Sequence, residues 1–310
     1  MRNGIIVAGI LILLFAAGYY YGSRESNKNF VTKRTQIILG TTVEILIRGE
    51  KEEKSNPLFE TGFAEFRRID SLFSTYIEGN PIHRFNNSES DTIILNKEIV
   101  QLLKKSDEIN RICKGGFDVT LGRLSDLWGF SSQNPSKPAD DKIIETLKES
   151  GWKNIKILND STVVRNNKVY LNLSAIAKGY AVDRAFEQMK KAGGKDFLVN
   201  AGGEIRADGT EWKIGIQNPD NDNDILMNLK PLDGMTEICV ATSGDYENFF
   251  MDGGIRYHHI LNPDTGYPSQ ECRSVTIIAR DVTTADALAT GIFVEGGEEG
   301  IKIIEQLENT

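Results

Sequence analysis

Between Thr35 and Arg48 the apolar residues Val43, Ile45 and Ile47 alternate with Thr42 and Glu44, which predicts a strand with one buried face. The period then changes. Phe59, Phe63, Phe66, Ile69 and Phe73 recur at helical spacing and predict an amphipathic helix whose aromatic stripe faces the core. A second helix is expected from Asn96, a good capping residue, to about Cys113, ended by Gly115-Gly116. Ser131 to Ala139 reads as a Ser/Pro-rich loop, and Asp140 to Ser150 as a short helix stopped by Gly151. Lys168 to Leu173 reads as a strand that delivers the chain to Ser174, the expected cap of a helix whose buried stripe is Val182, Phe186 and Met189. Short strands are expected at Phe197 to Asn200, Glu204 to Ala207, Trp212 to Gln217 and Ile238 to Thr242, with Asn218 to Gly234 a loose acidic loop. Asn262-Pro263-Asp264-Thr265-Gly266 is a turn, with Pro second and Gly closing. Strand runs among long helices, without strict βαβ alternation, predict an α+β fold.

The N-terminus follows a different pattern. Asn3 to Ser23 carries no charge, and Ile5 to Tyr21 is almost wholly apolar behind Arg2. That reads as a signal peptide or signal anchor. Its length and the closing Tyr19-Tyr20-Tyr21 favour an uncleaved anchor over residues 1–22, a polar stalk over 23–34, and a globular domain over 35–310 on the extracytoplasmic side of the inner membrane.

Composition narrows the function classes. A chain of 310 residues with 40% apolar content can bury a full core. A net charge of −8 without a Lys/Arg cluster excludes a nucleic-acid partner, and an anionic substrate then needs a metal or local dipoles. Cys113, Cys239 and Cys272 are widely spaced, which indicates neither a disulfide framework nor a zinc site.

Candidate chemistry centres on Thr283-Thr284-Ala285-Asp286-Ala287-Leu288-Ala289-Thr290-Gly291. Asp286 and Thr290, four apart, share one helix face and offer a carboxylate and a hydroxyl to a hard cation such as Mg²⁺. Thr283 and Asp286 also fit a capping box, so both readings stand. Lys178, four residues before Val182, extends that helix's buried stripe; its amine either points into the protein or snorkels to water. Gly115-Gly116-Phe117-Asp118, Ala201-Gly202-Gly203-Glu204 and Thr242-Ser243-Gly244-Asp245 are small-residue loops whose N–H groups can hold a phosphate or simply turn the chain. His258 and His259 are adjacent, so on a strand they face opposite ways.

Read together with Leu39-Gly40-Thr41-Thr42, Ser74-Thr75-Tyr76, Leu127-Trp128-Gly129-Phe130, the run from Asn172 to Asp183 and His259-Ile260-Leu261-Asn262-Pro263-Asp264-Thr265-Gly266, these motifs resemble, in order, the ApbE family of FAD:protein FMN transferases. The resemblance implies mixed, mostly antiparallel sheets with packed helices in a single large, T-fold-like domain of two lobes. It implies Mg²⁺-dependent splitting of FAD, transfer of FMN to a threonine of an acceptor protein, such as a subunit of an ion-pumping redox complex, and release of AMP. Mg²⁺-dependent hydrolysis of FAD to FMN and AMP, and non-catalytic flavin binding outside the cytoplasm, are the alternatives. Carried over by position, the metal would take Asp286, Thr290 and the Ala175 carbonyl, with Thr283 close by. The flavin nucleotide would meet Leu39, Tyr76, Gly116, Phe117, Asp118, Asn172, Lys178 and Ile260. Relatives often carry Asp where Asn172 stands, and usually add a closing strand after the Gly300 to Leu307 helix. His259, rather than His258, is expected to face the flavin pocket and to move a proton there, or only to hold the turn.

Overall fold

The computed structural model describes residues 30–307 except Tyr76, Ser131 and Gln133, together with all of Asp222 but its side chain. The expected anchor, and most of the expected stalk, lie outside the described residues. Among those described, no helix is long and apolar enough to cross a membrane.

The expected strand from Thr35 to Arg48 is two strands. β1 (Val31–Ile38) and β2 (Thr41–Arg48) pair antiparallel across Leu39 and Gly40, whose φ values are 55° and 70°. Both residues of such a tight hairpin turn need positive φ, and Leu at the first position hides the signal that Asn or Gly would give. Strand β1 thus starts at Val31, inside the segment read as a stalk. Val43, Ile45 and Ile47 are buried as the alternation required.

Helix α1 (Glu52–Phe73) lays its buried phenylalanine stripe over this hairpin. Helices α2 (Pro81–Asn87) and α3 (Lys97–Ile112) follow, and the Asn96 side chain accepts from Ile99 N–H at 2.9 Å as the cap of α3. The small sheet β3 (Thr92–Ile94), β4 (Ile155–Ile157) and β5 (Thr162–Arg165) flanks them, with α4 (Gly122–Trp128) and α5 (Asp140–Leu147) between β3 and β4 in sequence.

The stretch from Lys168 to Leu173 is not a strand. It makes one bridge, Tyr170 to Leu121, because Leu171 satisfies its N–H and C=O on the Asn86 side chain, at 2.8 and 2.9 Å. A side-chain amide takes the place of a neighbouring strand. Helix α6 (Ser174–Lys191) then opens at Ser174 without a side-chain cap, and Asn172 Oδ1 accepts from the Ser174 N–H at 3.0 Å.

Beyond α6 the chain builds the central sheet from β6 (Phe197–Ala201), β7 (Glu204–Asp208), β10 (Glu237–Gly244) and β13 (Ser274–Ala279), in the order β1-β2-β6-β7-β10-β13, antiparallel throughout. One face carries α1, α6 and α7 (Val282–Glu295) over the largest core cluster. The other face buries Leu198, Ala207, Ile238 and Val240 beside Trp212, Ile214 and Ile216. The last two belong to a hairpin of β8 (Ile214–Asn218) and β9 (Asn221–Leu229), so much of the expected acidic loop is a strand; its residues Ile225, Leu226 and Met227 are exposed, which leaves no buried periodicity to read. A third cluster gathers Trp128, Phe130 and Leu261 with α4 and α5, against the hairpin β11 (Phe249–Asp252) and β12 (Ile255–His258). Helix α8 (Gly297–Glu305) packs on α7. The architecture is the expected single α+β domain with antiparallel sheets.

Candidate functional site

A cleft of about 650 Å³ opens where the main core and the Trp128 cluster meet, a volume within the range of small-molecule sites. Its floor is made by two helices in backbone contact. A Cβ on Gly179 of α6 would collide with the Val282 carbonyl and lie 2.8 Å from Asp286 Cβ on α7, so only glycine allows this approach. The approach lets the Gly179 N–H donate to Asp286 Oδ2 at 2.9 Å. In a regular helix that N–H serves the carbonyl of residue 175 four residues back, and Ala175 itself lines the cleft.

The capping box is not formed. Asp281 caps α7, accepting from Thr284 N–H at 2.7 Å, and Asp286 makes its bonds to α6 instead. Thr283 does not line the cleft: its hydroxyl and N–H both donate to Asp183 Oδ2, at 2.6 and 2.8 Å. Thr283 is thus tied to a buried carboxylate of α6, next to α7's cleft-facing Asp286 rather than in the cleft lining itself. Thr290 does line the cleft, with its hydroxyl 3.2 Å from that of Ser243 on β10.

Lys178 points inward. Its Nζ lies 2.6 Å from Glu204 Oε1 and 3.8 Å from Asp286 Oδ1. Glu204 is 1% exposed and Asp286 2%, so two buried carboxylates face one ammonium. Burial opposes the charge on Lys178, but Asp286 and Glu204 outweigh it and hold the ammonium protonated above its usual range. Burial outweighs the pull of Lys178 on both acids, so the carboxyl pKa values of Glu204 and Asp286 are raised. Glu204 Oε2 is buried without a hydrogen-bond partner. The floor sets the Asp286 carboxyl group and the Thr290 hydroxyl on one wall of the cleft, oxygen donors of the kind a hard cation takes.

The remaining expected residues converge on the same cleft. Leu39, Gly116, Phe117, Asp118, Asn172, Lys178 and Ile260 line it, as do Ala175, His259, Asp286 and Thr290. Tyr76 lies outside the described residues, although Ser74 and Thr75 line the cleft. Phe117 is 1% exposed, so most of its ring is spent on the core and it backs the wall. A Cβ at Gly116 would lie 2.9 Å from the Gly291 carbonyl, which explains glycine where that loop meets α7. Asp118 accepts from Thr120 N–H at 2.8 Å and Trp152 N–H at 3.2 Å, and burial raises its pKa.

The two histidines separate, although β12 ends at His258 and His259 lies just beyond it, so the turn after the strand, not strand alternation, sets the direction of His259. His258 is buried, with Nε2 2.6 Å from the Ser269 carbonyl and Nδ1 accepting from Ile260 N–H at 3.3 Å, so both ring nitrogens are occupied. His259 opens to the cleft, and its Nδ1–H donates to the Asn248 carbonyl at 3.3 Å, which leaves Nε2 as the unprotonated acceptor. Although the His259 side chain is exposed at the cleft, the surrounding cleft walls take hydration from the ring and the Lys178 charge adds to this, so its pKa is pushed down.

Glu204, Ser243 and Glu247 line the cleft without having been assigned a role from sequence. Glu204 and Ser243 sat in small-residue loops that read equally well as turns, and only the position of Glu204 directly after Gly202-Gly203 marked it.

A family model described as the ApbE family matches residues 39–310. A FAD:protein FMN transferase of Vibrio cholerae is 30% identical, over 98% of this chain and 91% of that one. An ApbE protein of Thermotoga maritima superposes with a TM-score of 0.80 at 35% identity, covering 89% of this chain and 90% of that one. The flavin transferase ApbE of Vibrio cholerae superposes at 0.76 with 28% identity, covering 89% and 90%.

Proposed function

The chain belongs to the ApbE family, and from that and the cleft's chemistry we propose that it is a Mg²⁺-dependent flavin transferase. Its substrate is FAD, its acceptor a threonine hydroxyl of another protein, and its second product AMP. The threonine oxygen forms a bond to the phosphorus of the FMN half, the bond from that phosphorus to the bridging oxygen breaks, and AMP leaves with that oxygen.

The observation that carries the reading is Asp286, a buried carboxyl group at the cleft floor whose Oδ2 is held by Gly179 while Oδ1 stands 3.8 Å from Lys178. Asp286, Thr290 and the Ala175 carbonyl would hold the cation, a fit supported by the buried, unpartnered Glu204 Oε2 beside them. When bound, Mg²⁺ supplies charge stabilisation to phosphate oxygens in transfer. Lys178 offers its ammonium to the same phosphates. Neutral His259 takes the proton of the threonine hydroxyl at Nε2. Leu39, Gly116, Phe117, Asn172 and Ile260 exclude water and orient the nucleotide along the cleft.

The test is incubation of the chain with FAD, Mg²⁺ and a candidate acceptor, followed by intact-protein mass spectrometry. An FMN adduct with stoichiometric AMP supports transfer. Free FMN and AMP without an adduct would make the enzyme a hydrolase, and unconsumed FAD a binding protein.

The uncharged run from Asn3 to Ser23 further supports a membrane anchor with the domain on the periplasmic side, where an acceptor such as a subunit of an ion-pumping redox complex would meet it. Recovery of full-length protein in the soluble cytosolic fraction would overturn that placement.

A further inference from the structure

Lys178 lies between two buried carboxylates but is not shared equally: its Nζ sits 2.6 Å from Glu204 and 3.8 Å from Asp286. We infer that Glu204 is a positioning residue that holds the Lys178 ammonium away from Asp286, so that Oδ1 of Asp286 stays free for a divalent cation. This rests on the metal reading above and concerns a residue outside the cation's own donor set.

The rigidity of each partner supports the assignment. Glu204 opens β7 directly after the Gly202-Gly203 turn, and its backbone pairs with Ala201 of β6 in the middle of the central sheet. Its carboxylate therefore stands on a fixed element, whereas Lys178 has a flexible four-carbon stem and goes where a buried charge finds its partner. Asp286 is fixed from the other side by Gly179. Without the Glu204 carboxyl group, Asp286 would be the nearest partner of a buried ammonium, and burial penalises an unpaired charge. The lysine would close the present 3.8 Å gap and occupy the oxygen a cation needs. Glu204 prevents this by being the closer attachment, and with Lys178 held against it the Asp286 carboxyl group is left without the ammonium as its partner.

A purely structural Glu204 would affect stability or turnover without this competition, so the decisive readout is metal binding by the full chain without FAD, with Mn²⁺ as the spectroscopic probe. Glu204→Gln is expected to bind Mn²⁺ about tenfold more weakly, the equivalent of one pK unit of electrostatic competition. Lys178→Met is expected to bind at least as tightly as wild type, and the double variant Glu204→Gln/Lys178→Met to recover wild-type affinity or better. Unchanged affinity in Glu204→Gln, or a double variant no better than Glu204→Gln, overturns the inference. Should Glu204→Gln not fold, Lys178→Met decides: weaker binding there shows that the ammonium supports the metal instead of competing with it. Asp286→Asn separates the two levels. Loss of Mn²⁺ binding in that variant supports the metal reading; unchanged affinity there, or no binding by wild type, overturns that reading and this inference with it, whereas Asp286-dependent binding insensitive to Glu204 overturns the inference alone.

Discussion

The backbone N–H of Gly179 on α6 donates to Oδ2 of Asp286 on α7 at 2.9 Å, and the bond exists because residue 179 has no Cβ to hold the helices apart. A methyl group there would meet the Val282 carbonyl and the Asp286 side chain. Gly179→Ala is therefore expected to lose about 1–3 kcal/mol of stability through overpacking, and most transfer activity with it. Gly297→Ala is the control, since a Cβ at that position meets nothing within 4 Å. Urea unfolding and the adduct assay measure the two effects; a Gly179→Ala enzyme with normal stability and turnover would show that the helix contact is dispensable.

Asp281 and Asp286 divide between them the roles the sequence left open for Asp286. Asp281→Ala removes the cap of α7 and should cost about 0.5–2 kcal/mol while keeping the cleft chemistry. Asp286→Asn should do the reverse: the amide oxygen can still accept from Gly179, stability holds, and activity collapses at every Mg²⁺ concentration below saturation. Near-normal turnover of Asp286→Asn at low Mg²⁺ would remove the residue from the metal site.

His258 and His259 should part company in the same way. Loss of His258 frees the buried Ser269 carbonyl and is expected to destabilise the fold by about 1–3 kcal/mol. Loss of His259 should lower kcat by about 10² to 10⁴ with FAD affinity nearly intact. Because the His259 pKa is lowered, the neutral base is present above the lowered value and is lost as pH falls through it. The kcat profile should show an acid limb below the usual imidazole value that disappears in His259→Ala. A defect confined to FAD binding would leave His259 as a contact residue only.

Arg68 bridges Glu65 and Glu98, and Tyr180 donates to Glu98 Oε1 at 2.7 Å. The Arg68 hydrogen bonds lower the Glu98 pKa despite partial burial. A depressed carboxylate contributes stability that is fully present above its unfolded value, about 4.3, and is lost as pH falls through the lower folded value. Glu98→Gln should flatten the acid side of the stability curve without moving its neutral plateau much beyond the loss of the pair. Thermal unfolding of both proteins between neutral and strongly acid pH tests this; parallel acid limbs would assign the sensitivity elsewhere.

Local rules carried a good part of the fold. The α1 stripe, the Asn96 cap, the Asn262 to Gly266 turn and the shared face of Asp286 and Thr290 all follow from side-chain period and backbone preference within a few residues. Those properties belong to the chain before it folds. Other features depend on residues far apart in sequence. Leu39 takes a positive φ because β1 must return beside β2, Leu171 pairs with Asn86 instead of a strand, and Thr283 turns to Asp183. The inward reach of Lys178 was open from its spacing, which left it a choice between core and solvent. Only the meeting of α6, α7 and β7 decided it, because a lysine stem can follow either course and a buried ammonium settles where long-range packing has already placed a carboxylate, here Glu204.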